Sequence, residues 1–280
     1  LNHKANIQCL TQEQRRKIYL AAVQVLQETG IVIQSQEARR ILTGAGARTD
    51  GRRVWLSDER IESARLAAPS SFMLYSRMDA SPHIEVGSGR VYHGPSITAT
   101  HITDPRTGER RPFYREDVVS VATVCNGLPH IDYAAAQGTI SDVHPELVEV
   151  YEFADLIAHS AKPVMAWSNT VDGCRDIHRI ASCVAGGRDE LLERPLYFFL
   201  GCSISPLTIP SEVADQLIAC ARRAIPYVFG PCPMCGATTP STLASTLVVA
   251  TAEWLAALVL AQTVRPGAPF AVGGSLGIMD

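Results

Sequence analysis

Residues 236–280 read GATTPSTLASTLVVATAEWLAALVLAQTVRPGAPFAVGGSLGIMD. A turn-rich opening leads into one long apolar helix, a Pro266-Gly267 turn, and a short apolar strand that ends on Gly273-Gly274. That succession is a helix-to-strand step of an α/β protein. The helix itself, Leu243 to Val264, is 22 residues long and has the length of a bilayer span. Glu253 stands in its middle, however, and no basic flank beyond Arg265 marks a cytoplasmic side. A helix apolar nearly all round is also what a packed core helix looks like, and that reading is adopted. The sequence stops one strand later, where a further helix is expected.

Upstream the same step repeats. Apolar runs begin near Ile131, Pro163, Leu196, Pro226 and Pro269, separated by helical stretches over 145–159, 172–185, 211–223 and 241–263. A strand-to-strand spacing of roughly thirty residues is that of a βαβ unit. The runs PVMAW (163–167), LYFFL (196–200) and PYVFG (226–230) are short and apolar throughout, as strands buried on both faces of a parallel sheet are. Residues 90–114, followed by a helix over 116–126, are read as a further strand at the front. No GxGxxG follows the first strand, which argues against a dinucleotide-binding fold. The expected fold class is therefore α/β, a (β/α)8 TIM barrel. Such a barrel needs eight strands, and fewer are visible. Omitted strands would leave unpaired edges, so a C-terminally truncated barrel is expected, or one completed from elsewhere.

The first ninety residues follow a different pattern. Thr11 with Gln14 reads as a capping box for a helix over 12–29 that Gly30 ends. Ser35 caps a second helix to 45, 54–56 is a strand, and Ser57 caps a third helix over 58–67. Short β pieces follow at 72–75, 83–86 and 90–92. The expected division is an N-terminal α+β cap, 1–92, and a partial barrel, 93–280.

A net charge of −3 on 280 residues gives no basic footprint for nucleic acid, and an aromatic content of 6% offers few stacking platforms. Cysteines stand at 9, 125, 174, 183, 202, 220, 232 and 235, mostly inside apolar runs, a distribution of reduced buried thiols. The opening LNHKANIQCL lacks the charged, apolar and small-residue succession of a signal peptide. A cytoplasmic location is expected, with no membrane and no nucleic-acid partner.

Four blocks in order carry a family resemblance: ILTGAGARTDGRRVWLSDERIESARLAAPSSFMLYSR (41–77), the TGERRP loop (107–112), the Ser203-Ile204-Ser205-Pro206-Leu207 strand end, and the closing segment with Gly236, Pro240, Ala252-Glu253, Gln262 and Pro266-Gly267. Together they resemble the trimethylamine methyltransferase family, which includes glycine betaine methyltransferases and a branch tied to methanogenesis and one-carbon metabolism. The resemblance implies transfer of a methyl group from a tertiary or quaternary methylated amine, such as trimethylamine or a betaine, to the Co(I) of a corrinoid (cobalamin) protein. It implies a longer C-terminus, a corrinoid protein as partner, no cofactor bound by this chain, and a homo-oligomer at full length.

With cobalt as the nucleophile the chain need supply none, and no catalytic residue is assigned. It must hold a cationic N-methyl group in line, and aromatic faces and carboxylate or carbonyl oxygens do that. In a barrel such groups lie at the C-terminal ends of strands. Those ends offer Trp167 for cation–π contact, and Gln137 and Asn169 for polar orientation. Ser203 and Ser205 remain open between substrate or corrinoid contact and turn capping. Glu253 is read either as support for the mouth or as a helix residue with a local partner, and burial would raise its pKa. Cys232-Pro-Met-Cys235 suggests zinc and a metal-dependent lyase or hydrolase, but a single CxxC is weak and no metal ligand is assigned. An inactive fragment is a further alternative. His93, His101, Asp104 and Arg106 fall in a long loop facing either substrate and partner or solvent.

Overall fold

The computed structural model describes residues 8–279; residues 1–7, part of the opening read for a leader, and Asp280 lie outside them. The chain opens with helix α1 (Gln12–Glu28). Thr11 caps it through the expected box: its hydroxyl accepts from the Gln14 N–H, and the Gln14 side chain accepts from the Thr11 N–H at 2.8 Å. Gly30, at φ +73°, turns the chain out of the helix, and a Cβ there would meet the Val54 carbonyl at 2.6 Å. Strand β1 (Ile31–Ile33), helix α2 (Gln36–Gly44), the hairpin of β2 (Arg48–Asp50) and β3 (Arg53–Trp55), and helix α3 (Asp58–Ala67) follow. Ser35 and Ser57 cap α2 and α3 as the sequence predicts.

Strands β4 (Phe72–Tyr75) and β5 (Pro82–Val86) form an antiparallel hairpin. The strand expected at 90–92 is absent. Tyr92 is tied back instead by its side chain, whose hydroxyl accepts from the Glu85 N–H at 3.0 Å. The expected front strand is also corrected. Within 90–114, β6 (His101–Thr103) and β7 (Arg110–Pro112) pair with each other, and an isolated bridge joins Ala99 to Gly138. Helix α4 (Arg115–Gly127) comes next, and the strand expected near Ile131 shrinks to a single bridge between Ala134 and Val164.

From there the alternation is regular. A 3₁₀ turn (Pro145–Leu147) leads into α5 (Val148–His159), then β8 (Val164–Ala166), α6 (Val171–Ala185), α7 (Arg188–Glu193), β9 (Tyr197–Gly201), β10 (Thr208–Ile209), α8 (Ser211–Arg222), β11 (Tyr227–Phe229), β12 (Met234–Cys235), α9 (Leu243–Val264), β13 (Phe270–Val272) and β14 (Gly277–Ile278). Strands β8, β9, β11 and β13 form one parallel sheet in the order β13-β11-β9-β8. The architecture is thus mixed α/β with a parallel sheet.

Alternation along the strands sends Tyr197, Phe199, Tyr227 and Phe229 into the main core and Met165 and Phe198 into a second cluster with Leu74 and Ile84 of the β4–β5 hairpin. Phe199 stacks on Tyr227 at 6.0 Å and Tyr227 on Phe270 at 6.5 Å between ring centroids. Both faces of the sheet are therefore covered, which is why its strands carry no polar alternation. Gly201 is required by this packing, since a Cβ there would lie 1.8 Å from the Tyr227 hydroxyl.

Helix α9 is the one helix among the described residues long and apolar enough to cross a bilayer. Here it packs against α1, α2, α3 and α8. Its buried side chains are mostly Ala, Leu and Val, with Thr246, Glu253 and Gln262 among them. One continuous core runs from Ala22 and Leu26 of α1 through Leu217 of α8 to Leu260 of α9. A second four-stranded sheet, in the order β10-β1-β3-β2, ties the first ninety residues to the later chain through the parallel pairing of β1 with β10.

Candidate functional site

The loops that leave the C-terminal ends of β8 and β9 are anchored by buried glutamates. After β8 comes Trp167-Ser168-Asn169. Opposite it, α5 presents Glu149 and Glu152, three residues apart and so on one helix face, 3% and 2% exposed. The Trp167 indole N–H donates to Glu152 Oε2 at 3.0 Å, and the Ile140 N–H donates to Oε1 at 3.1 Å. The Asn169 backbone and side-chain N–H groups both donate to Glu149 Oε1, at 3.1 and 2.6 Å. Trp167 and Asn169 are thus brought together on one pair of acids. Burial pushes the Glu152 carboxyl up to about 7; the donors Ile140 and Trp167 oppose that, and the neighbouring Glu149 adds to it.

After β9 the chain runs Cys202-Ser203-Ile204-Ser205-Pro206-Leu207. Its anchor is Glu253, fully buried halfway along α9. Ser203 Oγ donates to Glu253 Oε2 at 2.5 Å, Ser205 Oγ to the same oxygen at 2.9 Å, and the Leu207 N–H to Oε1 at 2.7 Å. Both serine hydroxyl protons are therefore committed to the carboxylate. Burial raises the Glu253 carboxyl, against the pull of these three donors. Its partners lie about fifty residues away in sequence, so it is a long-range anchor of the strand end and not a locally satisfied helix residue. From Leu207 the chain passes directly into β10, where the Val32 N–H donates to the Leu207 carbonyl at 2.8 Å.

Gln137 stands apart from these residues. It is exposed at φ +65° and lines a cavity of about 320 Å³ with Val121, Val124 and Leu128 beside α4. The Cys202 thiol is pushed up to about 11 by burial and by the adjacent Cys232 thiol, so it stays protonated at neutral pH. Cys232 donates to the Gly230 carbonyl and Cys235 to the Pro240 carbonyl, both at 3.6 Å. Among the described residues no set of three or more His, Cys, Asp or Glu gathers as metal ligands do. In the long loop, Asp104 accepts from Arg111 Nε at 2.8 Å, and Arg111 also forks onto Asp117. The His93 N–H donates to Asp132, while His101 and Arg106 are exposed.

Glu149 and Glu152 were not singled out from the sequence. The signal available was the run Glu149, Glu152, Asp155 at every third position of an otherwise apolar helix, which puts acids on a face that must meet a partner. Asp155 meets Arg115 in a two-pronged ion pair at 2.6 and 2.9 Å.

The family described as Trimethylamine methyltransferase (MTTB) matches residues 1–280. Trimethylamine methyltransferase MttB of Desulfitobacterium hafniense (strain DSM 10664 / DCB-2) is 33% identical over 96% of this chain and 54% of its own length. Glycine betaine methyltransferase of Desulfitobacterium hafniense (strain Y51) is 27% identical over 97% and 56% respectively. Trimethylamine methyltransferase MttB of Methanosarcina barkeri (strain Fusaro / DSM 804) is 28% identical over 96% and 56%. The chain thus spans about half the length of the curated relatives it matches.

Proposed function

The chain belongs to the trimethylamine methyltransferase family, and from that membership we propose that it carries the amine-holding part of an enzyme that transfers a methyl group from a tertiary or quaternary methylated amine to the Co(I) of a separate corrinoid protein. In this reading the parallel sheet belongs to a (β/α)8 barrel, residues 1–92 cap it, residues 93–280 supply part of it, and the protein works in the cytoplasm as a homo-oligomer. The observation that carries the reading is the arrangement after β8: an indole held edge-on by one buried carboxylate, with a second carboxylate beside it.

An N-methyl ammonium is large, weakly hydrated and positive. The face of Trp167 attracts it through the ring quadrupole. The acids behind the loop hold the ring and the Asn169 amide in one orientation, so the methyl group need not wait for the side chains to settle. As the methyl group passes to the partner's cobalt, the C–N bond breaks and its electron pair leaves with the amine, which departs neutral. The positive charge disperses in that step, and a polarisable aromatic wall suits both ends of it. Ser203 and Ser205 act in this scheme through Glu253, as positioning residues for the loop after β9. The high pKa of Cys202 fits a site whose nucleophile comes from the partner.

The test is methyl transfer from a panel of methylated amines and betaines to added Co(I) cobalamin, followed by absorbance. Transfer from at least one donor is expected, and its absence with every donor sinks the proposal. Trp167→Ala should raise KM for that donor by roughly tenfold, about 1.4 kcal/mol of cation–π contact. Trp167→Phe, which keeps a ring but not the donor to Glu152, should lie between.

A further inference from the structure

At the other end of the sheet, by the N-terminal ends of β9 and β11, a cavity of about 220 Å³ opens between α6, α7 and the turn after α8. Its lining holds Arg188 from the start of α7, Arg223 from the end of α8 and Arg265 from the end of α9, against the single carboxylate Asp189. A chain of net charge −3 therefore brings three arginines to the edge of one cavity. All three are exposed at its mouth, and among the described residues none of them makes an ion pair with a carboxylate. Two of the three are held by the backbone: Arg223 Nη1 donates to the Ala219 carbonyl at 3.0 Å and Arg265 Nη1 to the Arg222 carbonyl at 3.3 Å. Each still has N–H donors to offer, because a guanidinium carries five.

His178 senses this charge. Its Nδ1 lies 3.2 Å from the Tyr197 hydroxyl, and its pKa is pushed down to about 4, by burial first and then by Arg223 and Arg188. Like charges at the mouth of a cavity raise the local positive potential and favour an anion there, most at low ionic strength. Planar guanidinium forks donate two parallel hydrogen bonds to a pair of oxygens on one phosphate or carboxylate.

We propose that this cavity binds a small multivalent oxyanion of the phosphate class, free or as a compact ester, on the side of the sheet remote from Trp167. The site stands independently of the methyl-transfer reading.

Isothermal titration with inorganic phosphate, pyrophosphate and glycerol 3-phosphate, at ionic strength fixed with chloride, tests it. Saturable one-to-one binding of at least one probe below about 1 mM is expected. Arg188→Gln and Arg223→Gln should each weaken it by about tenfold or more, the loss of one forked, charge-assisted contact. Arg52→Gln, in the exposed β2–β3 turn, removes the same charge and should leave the Kd unchanged. Absence of saturable binding by all three probes, or an equal loss in Arg52→Gln, overturns the proposal. The unaltered protein gives a second readout should the variants misfold: saturating pyrophosphate should shift the His178 ring resonances but not those of exposed His130. An unmoved His178 also overturns it.

Discussion

Glu253 concentrates three donors on one carboxylate in the middle of the most apolar helix of the chain. Glu253→Ala would strand two hydroxyls and one amide in a buried loop, each costing roughly 1–3 kcal/mol. The expected loss is about 3 kcal/mol or more, read as a lowered urea midpoint. Glu253→Gln should cost only about 1 kcal/mol, because its carbonyl can keep the Leu207 amide while its NH2 donates to serine hydroxyls, which can turn to accept. Equal losses in the two variants would contradict this assignment. Glu152 makes a pH prediction. Its folded pKa of about 7 exceeds the ordinary 4.5, so between those values the folded protein keeps a proton that the unfolded chain has released. Its stabilising contribution is full below about pH 4.5 and is lost as the pH rises through about 7. Urea titrations should show the wild type losing up to about 3 kcal/mol relative to Glu152→Gln between pH 4.5 and pH 8. Parallel curves would show that Glu152 does not titrate there.

Among the elements, α4 is closed by a residue from far along the chain. The Lys162 ammonium donates to the carbonyls of Cys125, Leu128 and Ile131 at 2.6, 2.6 and 2.5 Å. A cation on the last carbonyls of a helix satisfies orphan acceptors and opposes the negative end of the dipole. Lys162→Met should therefore cost about 2 kcal/mol, with faster amide exchange over the last turn of α4 as the local sign. The helices themselves were legible because their signals are local: Thr11, Ser35 and Ser57 each cap the helix that follows. The β pieces were less so. The runs at 90–92 and near Ile131 carry strand-like residues, yet one is tied by a tyrosine hydroxyl and the other by a single bridge. Strand pairing depends on a partner that local sequence does not name. The same holds for β10, two residues long, and for the parallel pair of β12 and β14.

In the whole molecule the expected boundary near residue 92 is crossed by packing. Helices α1, α2 and α3 lie on α9, Ser35 donates to Asp215 of α8, and β1 pairs with β10. Because one core serves both segments, calorimetry should show a single transition for residues on either side of the boundary. Two resolved transitions would mean that the shared core contributes little. The succession of helices and parallel strands, the caps and the family are legible along the chain, since each is written in periodicity, in a short motif or in blocks kept in order. The sequence also placed Trp167, Asn169, Ser203 and Ser205 at strand ends. Which groups those side chains meet there depends on contacts between elements far apart in the chain. Helical spacing fixes which residues share a face, but the donor that satisfies a buried acid is chosen by three-dimensional packing. Thus Glu149 and Glu152 came to hold the loop after β8, and Glu253 the loop after β9.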